Sequence, residues 1–149
     1  MLMRLDRDVF AVPGLTDIIF AEGVNDIRAA ETTTFDPDAL ARQILEGYRQ
    51  LVVRAHAHGV RVIGGTLTPY KGTNNQTEAG LATVERINAA IRSGEVFDAV
   101  VDFNRAVADP TEPQRMRPEF QKGDWLHPND SGYAAMAAAI PETLFASRP

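Results

Sequence analysis

Three short apolar runs, separated by helix-length amphipathic stretches, restrict this chain to few folds. The first spans residues 16–21, follows Pro13-Gly14 and ends at Glu22-Gly23. The second, residues 61–66, is entered through Gly59, and the third, residues 97–102, through Gly94. Continuous apolar runs of this length read as strands buried on both faces. Joined by helices, they predict right-handed crossovers and a parallel sheet covered on both sides.

The helical stretches carry their own punctuation. Asp36 is placed as an N-cap with Pro37 at the first helical position, and Gly59 stands where a left-handed C′ residue would end the helix. Between them Leu40, Ile44, Leu45, Tyr48, Leu51, Val52 and Ala55 form one apolar stripe. Leu81, Val84, Ile87 and Ile91 mark a second stripe, closed by Gly94. A last helix is expected after Asp130, with Tyr133, Met136, Ala137 and Ile140 inward and Pro141 as its breaker. Residues 4–12 also read as a helix. The expectation is one α/β domain over residues 1–149.

Charge and composition narrow the partners. A net charge of −5 with scattered basic residues argues against nucleic acid, and Arg115-Met116-Arg117 is too short to make a patch. With no cysteine, disulfides, thiolate nucleophiles and thiolate metal sites are excluded. No run reaches membrane-spanning length, and Met1–Asp8 lacks the apolar core of a signal peptide.

In α/β sheets of this kind ligands bind beyond the carboxyl ends of the strands. Two polar motifs fall there: Gly23-Val24-Asn25-Asp26 after the first strand, and Asp124-Trp125-Leu126-His127-Pro128 in the loop before the last helix. An Asp-x-x-His loop can fold back so that the carboxylate holds one imidazole nitrogen and leaves the other free as a base. An ordinary helix-entry loop fits the same residues. The Asn25 amide can donate to an oxyanion, while Gly and Asn-Asp are also ordinary turn residues. His56 and His58, in the last turn of a helix, read as surface residues. Glu22 and Asp26 make only a weak carboxylate pair. The polar stretch Tyr70–Thr77 reads equally as a cleft rim or a plain surface loop.

Taken together, Gly23-Val24-Asn25-Asp26 and the run from Asp124 to Tyr133 resemble the third and fifth sequence blocks of the SGNH, or GDSL-type, esterases and lipases. Gly64–Tyr70 and Val101-Asp102-Phe103 are similar to the family's intervening text, so the resemblance covers nearly the whole chain in order. It implies a flavodoxin-like three-layer α/β/α domain that hydrolyses small carboxylic esters through an acyl-serine, with no metal or organic cofactor. It implies His127 as general base, Asp124 as its orienting carboxylate and Asn25 as oxyanion-hole donor. Family members are often secreted.

One block has no counterpart. The family's Gly-Asp-Ser precedes the asparagine block, yet the 22 residues before Gly23 contain no serine. The chain therefore reads as a member that begins just before its third strand and misses the first strand or strands. Of the three serines, Ser93 ends a helix, Ser147 lies in the tail, and Ser131 starts a helix, where a hydroxyl serves the backbone. Without the serine strand, residues 16–21 would form an unpaired apolar edge, and a homo-oligomer or complementing fragment is expected to cover it. The alternatives to an esterase are a non-catalytic, oligomer-forming remnant and a weak hydrolase in which His127 activates water.

Overall fold

A computed structural model describes residues 2–145. Three parallel strands, β1 (Asp17–Phe20), β2 (Arg61–Gly65) and β3 (Ala99–Val101), form a sheet in the order β1-β2-β3. The register pairs Ile19 with Ile63 and Ile63 with Ala99, so these three side chains share one face. Five helices accompany the strands: α1 (Val24–Ala30), α2 (Pro37–Ala57), α3 (Glu78–Arg92), α4 (Phe103–Val107) and α5 (Asp130–Ala138).

The pleat divides the core in two. Val62 and Phe20 face a large cluster built with Tyr48, Leu51 and Ala55 of α2 and Leu81, Val84 and Ile87 of α3. Ile63 and Val101 face the other way, onto Phe103, Met136, Ala139 and Ile140. This is the three-layer α/β/α arrangement, with α2 and α3 on one face and α5 on the other. Glycines at the end of β2 allow the layers to close. A Cβ at Gly64 would fall 1.9 Å from the Phe97 ring, and one at Gly65 2.5 Å from Phe103.

The long helix begins and ends where its punctuation sets it. Asp36 accepts from the Asp38 N–H at 2.8 Å, Pro37 opens α2, and Gly59 follows at φ +71°. Thr77 caps α3 through the Gly80 N–H. The third strand is shorter than its expected run, 97–102, and Phe97 packs into the large core instead of continuing the ladder.

Three expectations need correction. The cap of α5 is Asn129, whose side chain accepts from the Gly132 N–H at 3.0 Å, not Asp130. In that helix Met136 and, just past its end, Ala139 and Ile140 face inward, while Tyr133 is 56% exposed and Ala137 lies outside. Residues 4–12 do not form a regular helix: a 3₁₀ turn at Leu2–Arg4 precedes a wide π-type turn at Asp6–Phe10, together burying Leu5. Tyr70 is no loop rim. It is fully buried, and its hydroxyl donates to Glu31 Oε1 at 2.9 Å.

Candidate active site

The Gln121–Pro128 loop is a narrow antiparallel excursion closed by a Lys122 N–H bond to the His127 carbonyl at 3.0 Å. Gly123 and Trp125 take positive φ, +105° and +60°, which bends the chain enough to return the Asp124 side chain over its own backbone. Asp124 Oδ1 accepts the Leu126 and His127 N–H groups, each at 2.9 Å. Asp124 Oδ2 lies 2.6 Å from His127 Nδ1. These bonds hold the Asp124 carboxyl well below the usual carboxylate range, the ring bond first and the two backbone donors after it.

An ionised carboxylate only accepts, so Nδ1 carries the proton and the Nε2 lone pair is left free. No described residue bonds Nε2, and the His127 side chain is 58% exposed. Beneath it Leu126 packs on the large core, which anchors the loop to the domain. The bond to Asp124 thus fixes the tautomer of the His127 ring.

Asn25 sits in the first turn of α1, five residues beyond the end of β1. The turn before it is tightly set. Gly23 has φ +139°, and a Cβ there would lie 2.7 Å from the Tyr48 hydroxyl, which donates to the Glu22 carbonyl at 2.5 Å. Burial, reinforced by Asp26 and Glu22, pushes the Tyr48 phenol up, so it stays a donor. Asn25 itself is exposed and its amide has no hydrogen-bond partner among the described residues. A cleft of about 650 Å³ opens beside the Glu22–Gly23 turn, bounded by Phe20, Glu22, Gly23, Asp26, Ile44 and Tyr48, and Asn25 does not line it.

The structure thus brings Asp124 and His127 into direct contact and leaves Asn25 without a bond to either. Glu22 and Asp26 are exposed and line the same cleft. Ser131 is exposed at the start of α5 with no hydrogen bond to His127 among the described residues, Ser93 donates to the Ala90 carbonyl at 2.8 Å, and Ser147 lies outside the described residues. His56 and His58 are on the surface as expected, but both are engaged. His56 Nε2 meets Asp98 at 2.9 Å, and the His58 ring stacks on Phe10. Among the described residues no group of three His, Asp or Glu side chains is placed to hold a metal, and no helix is long and apolar enough to cross a membrane.

A family profile for GDSL-like lipases and acylhydrolases matches residues 2–135. The chain belongs to that family. Its fold is that of two solved structures, a Bacteroides fragilis protein named as an acylhydrolase and a Bacteroides thetaiotaomicron protein named as a GDSL-like lipase. The first superposes with a TM-score of 0.68 at 22% identity, the second with 0.68 at 23%. Both alignments cover 93% of this chain, which spans 64% and 65% of those two proteins. No curated protein matches it.

Two features near the site escaped the sequence reading. The Arg115 guanidinium lies 3.7 Å over the Trp125 ring, and Lys71 bonds Glu112 at 2.9 Å. Arg115 was visible only as half of an Arg-Met-Arg triplet, and the signal that would have found it is the single tryptophan standing between Asp124 and His127.

Proposed function

We propose that this chain supplies the base, the orienting carboxylate and an oxyanion donor of an esterase that hydrolyses small carboxylic esters. The observation that carries the reading is the 2.6 Å Asp124–His127 bond in an exposed loop, with Nε2 unbonded. In the reaction, a hydroxyl oxygen attacks the ester carbonyl carbon while its proton passes to His127 Nε2. The carbonyl oxygen becomes an oxyanion, to which the Asn25 amide donates; such donors are worth about 3–4 kcal/mol. Collapse breaks the bond to the alkoxide, which leaves with the Nε2 proton. Water repeats the cycle and frees the acid.

The attacking hydroxyl, in this reading, belongs to a serine on a strand seated along the free edge of β1. That edge makes no strand pairing among the described residues, and Ile19 on it is 40% exposed. A second copy of the chain or a complementing segment would cover the same edge, so association is part of the proposal. A second reading, in which His127 activates water directly, is favoured by the open solvent access of its ring.

The test is hydrolysis of 4-nitrophenyl acetate by the chain and by His127→Ala, with fluorophosphonate labelling in parallel. Turnover abolished in His127→Ala supports the base assignment. Labelling of a serine then selects the acyl-serine route, and turnover without labelling selects water. Equal rates in the two proteins would overturn both and leave a non-catalytic member of the family.

A further inference from the structure

A pocket of about 310 Å³, lined by Lys71, Gly72, Gln76, Glu112 and Arg115, adjoins the Asp124–His127 loop and has no part in the reaction just described. Its walls come from two segments, the stretch after β2 and the loop after α4. Trp125 connects it to the Asp124–His127 loop: a Cβ at Gly72 would lie 3.0 Å from the Trp125 ring, and the Arg115 guanidinium lies over the same ring at 3.7 Å.

The pocket's charge differs from that of the chain. Within the lining, Lys71 and Arg115 share the carboxylate of Glu112, which bonds Lys71 at 2.9 Å and lies 3.7 Å from Arg115. The lining therefore carries one net positive charge, with Glu78 outside it acting on Lys71 as a second acid. Arg115 Nε is buried with no hydrogen-bond partner among the described residues. Stacking on Trp125 occupies a face of the guanidinium and one terminal nitrogen faces Glu112, so the other terminal N–H group is the one left for an in-plane acceptor on an anion. Gln76 Oε1 accepts the Gly72 N–H, which leaves its amide nitrogen as a further donor.

We infer that this pocket binds a small oxyanion, a carboxylate or a phosphate monoester, carried by the substrate away from its reacting ester, with Arg115 and Lys71 as the binding residues. The substrate part rests on the esterase reading above; the anion site does not. Ester substrates of this chain are then anionic ones, and neutral short-chain esters are poor substitutes.

Trp125 is the single tryptophan, so its fluorescence reports on the stacked Arg115 directly. Titration with sodium succinate and with methyl phosphate, at ionic strength fixed by chloride, should give a saturable change with at least one. The anion that saturates at lower concentration identifies the group. Dimethyl succinate, the neutral counterpart, should give none. The response should weaken about tenfold or more in Arg115→Gln, the order expected for losing a charge-assisted bond, and measurably in Lys71→Gln. It should persist in His127→Ala, which separates failure of the anion site from failure of the esterase. No saturable response to either anion, an equal response to the diester, or unchanged affinity in both folded pocket variants would overturn the site. If turnover is found, kcat/KM for mono(4-nitrophenyl) succinate over 4-nitrophenyl acetate should exceed one and fall in Arg115→Gln. A ratio unaffected by that substitution would place the anion site outside the substrate's reach.

Discussion

His127 Nδ1 stands 2.6 Å from Asp124 Oδ2, while the other oxygen of the same carboxylate accepts the His127 backbone N–H at 2.9 Å. One side chain therefore sets both the ring tautomer and the loop that presents the ring. The two roles separate by substitution. Asp124→Asn keeps an acceptor for the backbone but loses the charge that favours an imidazolium; any esterolysis should fall by about 10³–10⁴-fold, as it does when a triad aspartate is amidated. Asp124→Ala should in addition loosen residues 124–127. Nitrogen NMR of the His127 ring, with amide exchange at Leu126 and His127, would distinguish them: a lost Nδ1–H preference with protected amides for Asn, and loss of both for Ala.

At the end of β3, Asp102 caps α4 through the Arg105 N–H and meets Arg92 through two bonds, at 2.8 and 3.0 Å. Partial burial works to raise its carboxyl, but Arg92, Arg105 N–H and the Thr66 hydroxyl outweigh it and hold the group below its usual value. A depressed folded value gives stability that is present above the unfolded value of about 3.9 and lost as pH falls below it. Asp102→Asn should cost about 1 kcal/mol, a Tm drop of roughly 2–4 °C, at neutral pH. Thermal unfolding across pH should show that difference shrinking in acid. A constant difference down to pH 3 would remove the electrostatic account.

Glu31, Tyr70 and Thr77 meet at a single oxygen: Glu31 Oε1 accepts from Tyr70 at 2.9 Å and from the Thr77 N–H at 2.7 Å. The carboxylate ties the end of α1 to the start of α3, and Gly80 leaves room for it, since a Cβ there would lie 2.0 Å from Oε1. Tyr70→Phe should cost about 1 kcal/mol, one hydrogen bond, whereas Gly80→Ala should cost about 1–3 kcal/mol by overpacking. Urea unfolding of both variants checks the order; a milder Gly80→Ala would mean the hub can shift aside.

What the sequence made legible follows from range. The cap of α2, the glycine that closes α3, the βαβ order and the Asp124–His127 pair all involve residues close in the chain, and local rules reach them. Tyr70 bonds a residue 39 positions away, and Asn88 cradles the Leu67 backbone from the facing helix with bonds of 2.7 and 2.9 Å; neither leaves a periodic trace. Tyr133 was misplaced because the inward stripe of α5 runs through Met136, Ala139 and Ile140, and one short alanine-rich helix does not mark which edge of that stripe its first turn falls on. The Arg115–Trp125 stack joins two irregular loops, where apolar periodicity carries no information.

Ile19 lies on the uncovered edge of β1, in register with Ile63 on the face that α5 protects only farther along the sheet. Its 40% exposure accompanies one row of main-chain groups that no strand pairs among the described residues. Such an edge favours addition of a strand, and a lysine on it is the usual device against that. If association runs through this edge, the chain should be dimeric or larger at micromolar concentration by light scattering. Ile19→Lys should shift it to monomer, with its circular dichroism spectrum unchanged, because the lysine stem can leave the sheet for solvent. A wild-type monomer would overturn self-association, and an oligomer indifferent to Ile19→Lys would move the contact elsewhere. The cleft beside Gly23 would then be the next surface to test, with Ile44→Lys on its α2 wall.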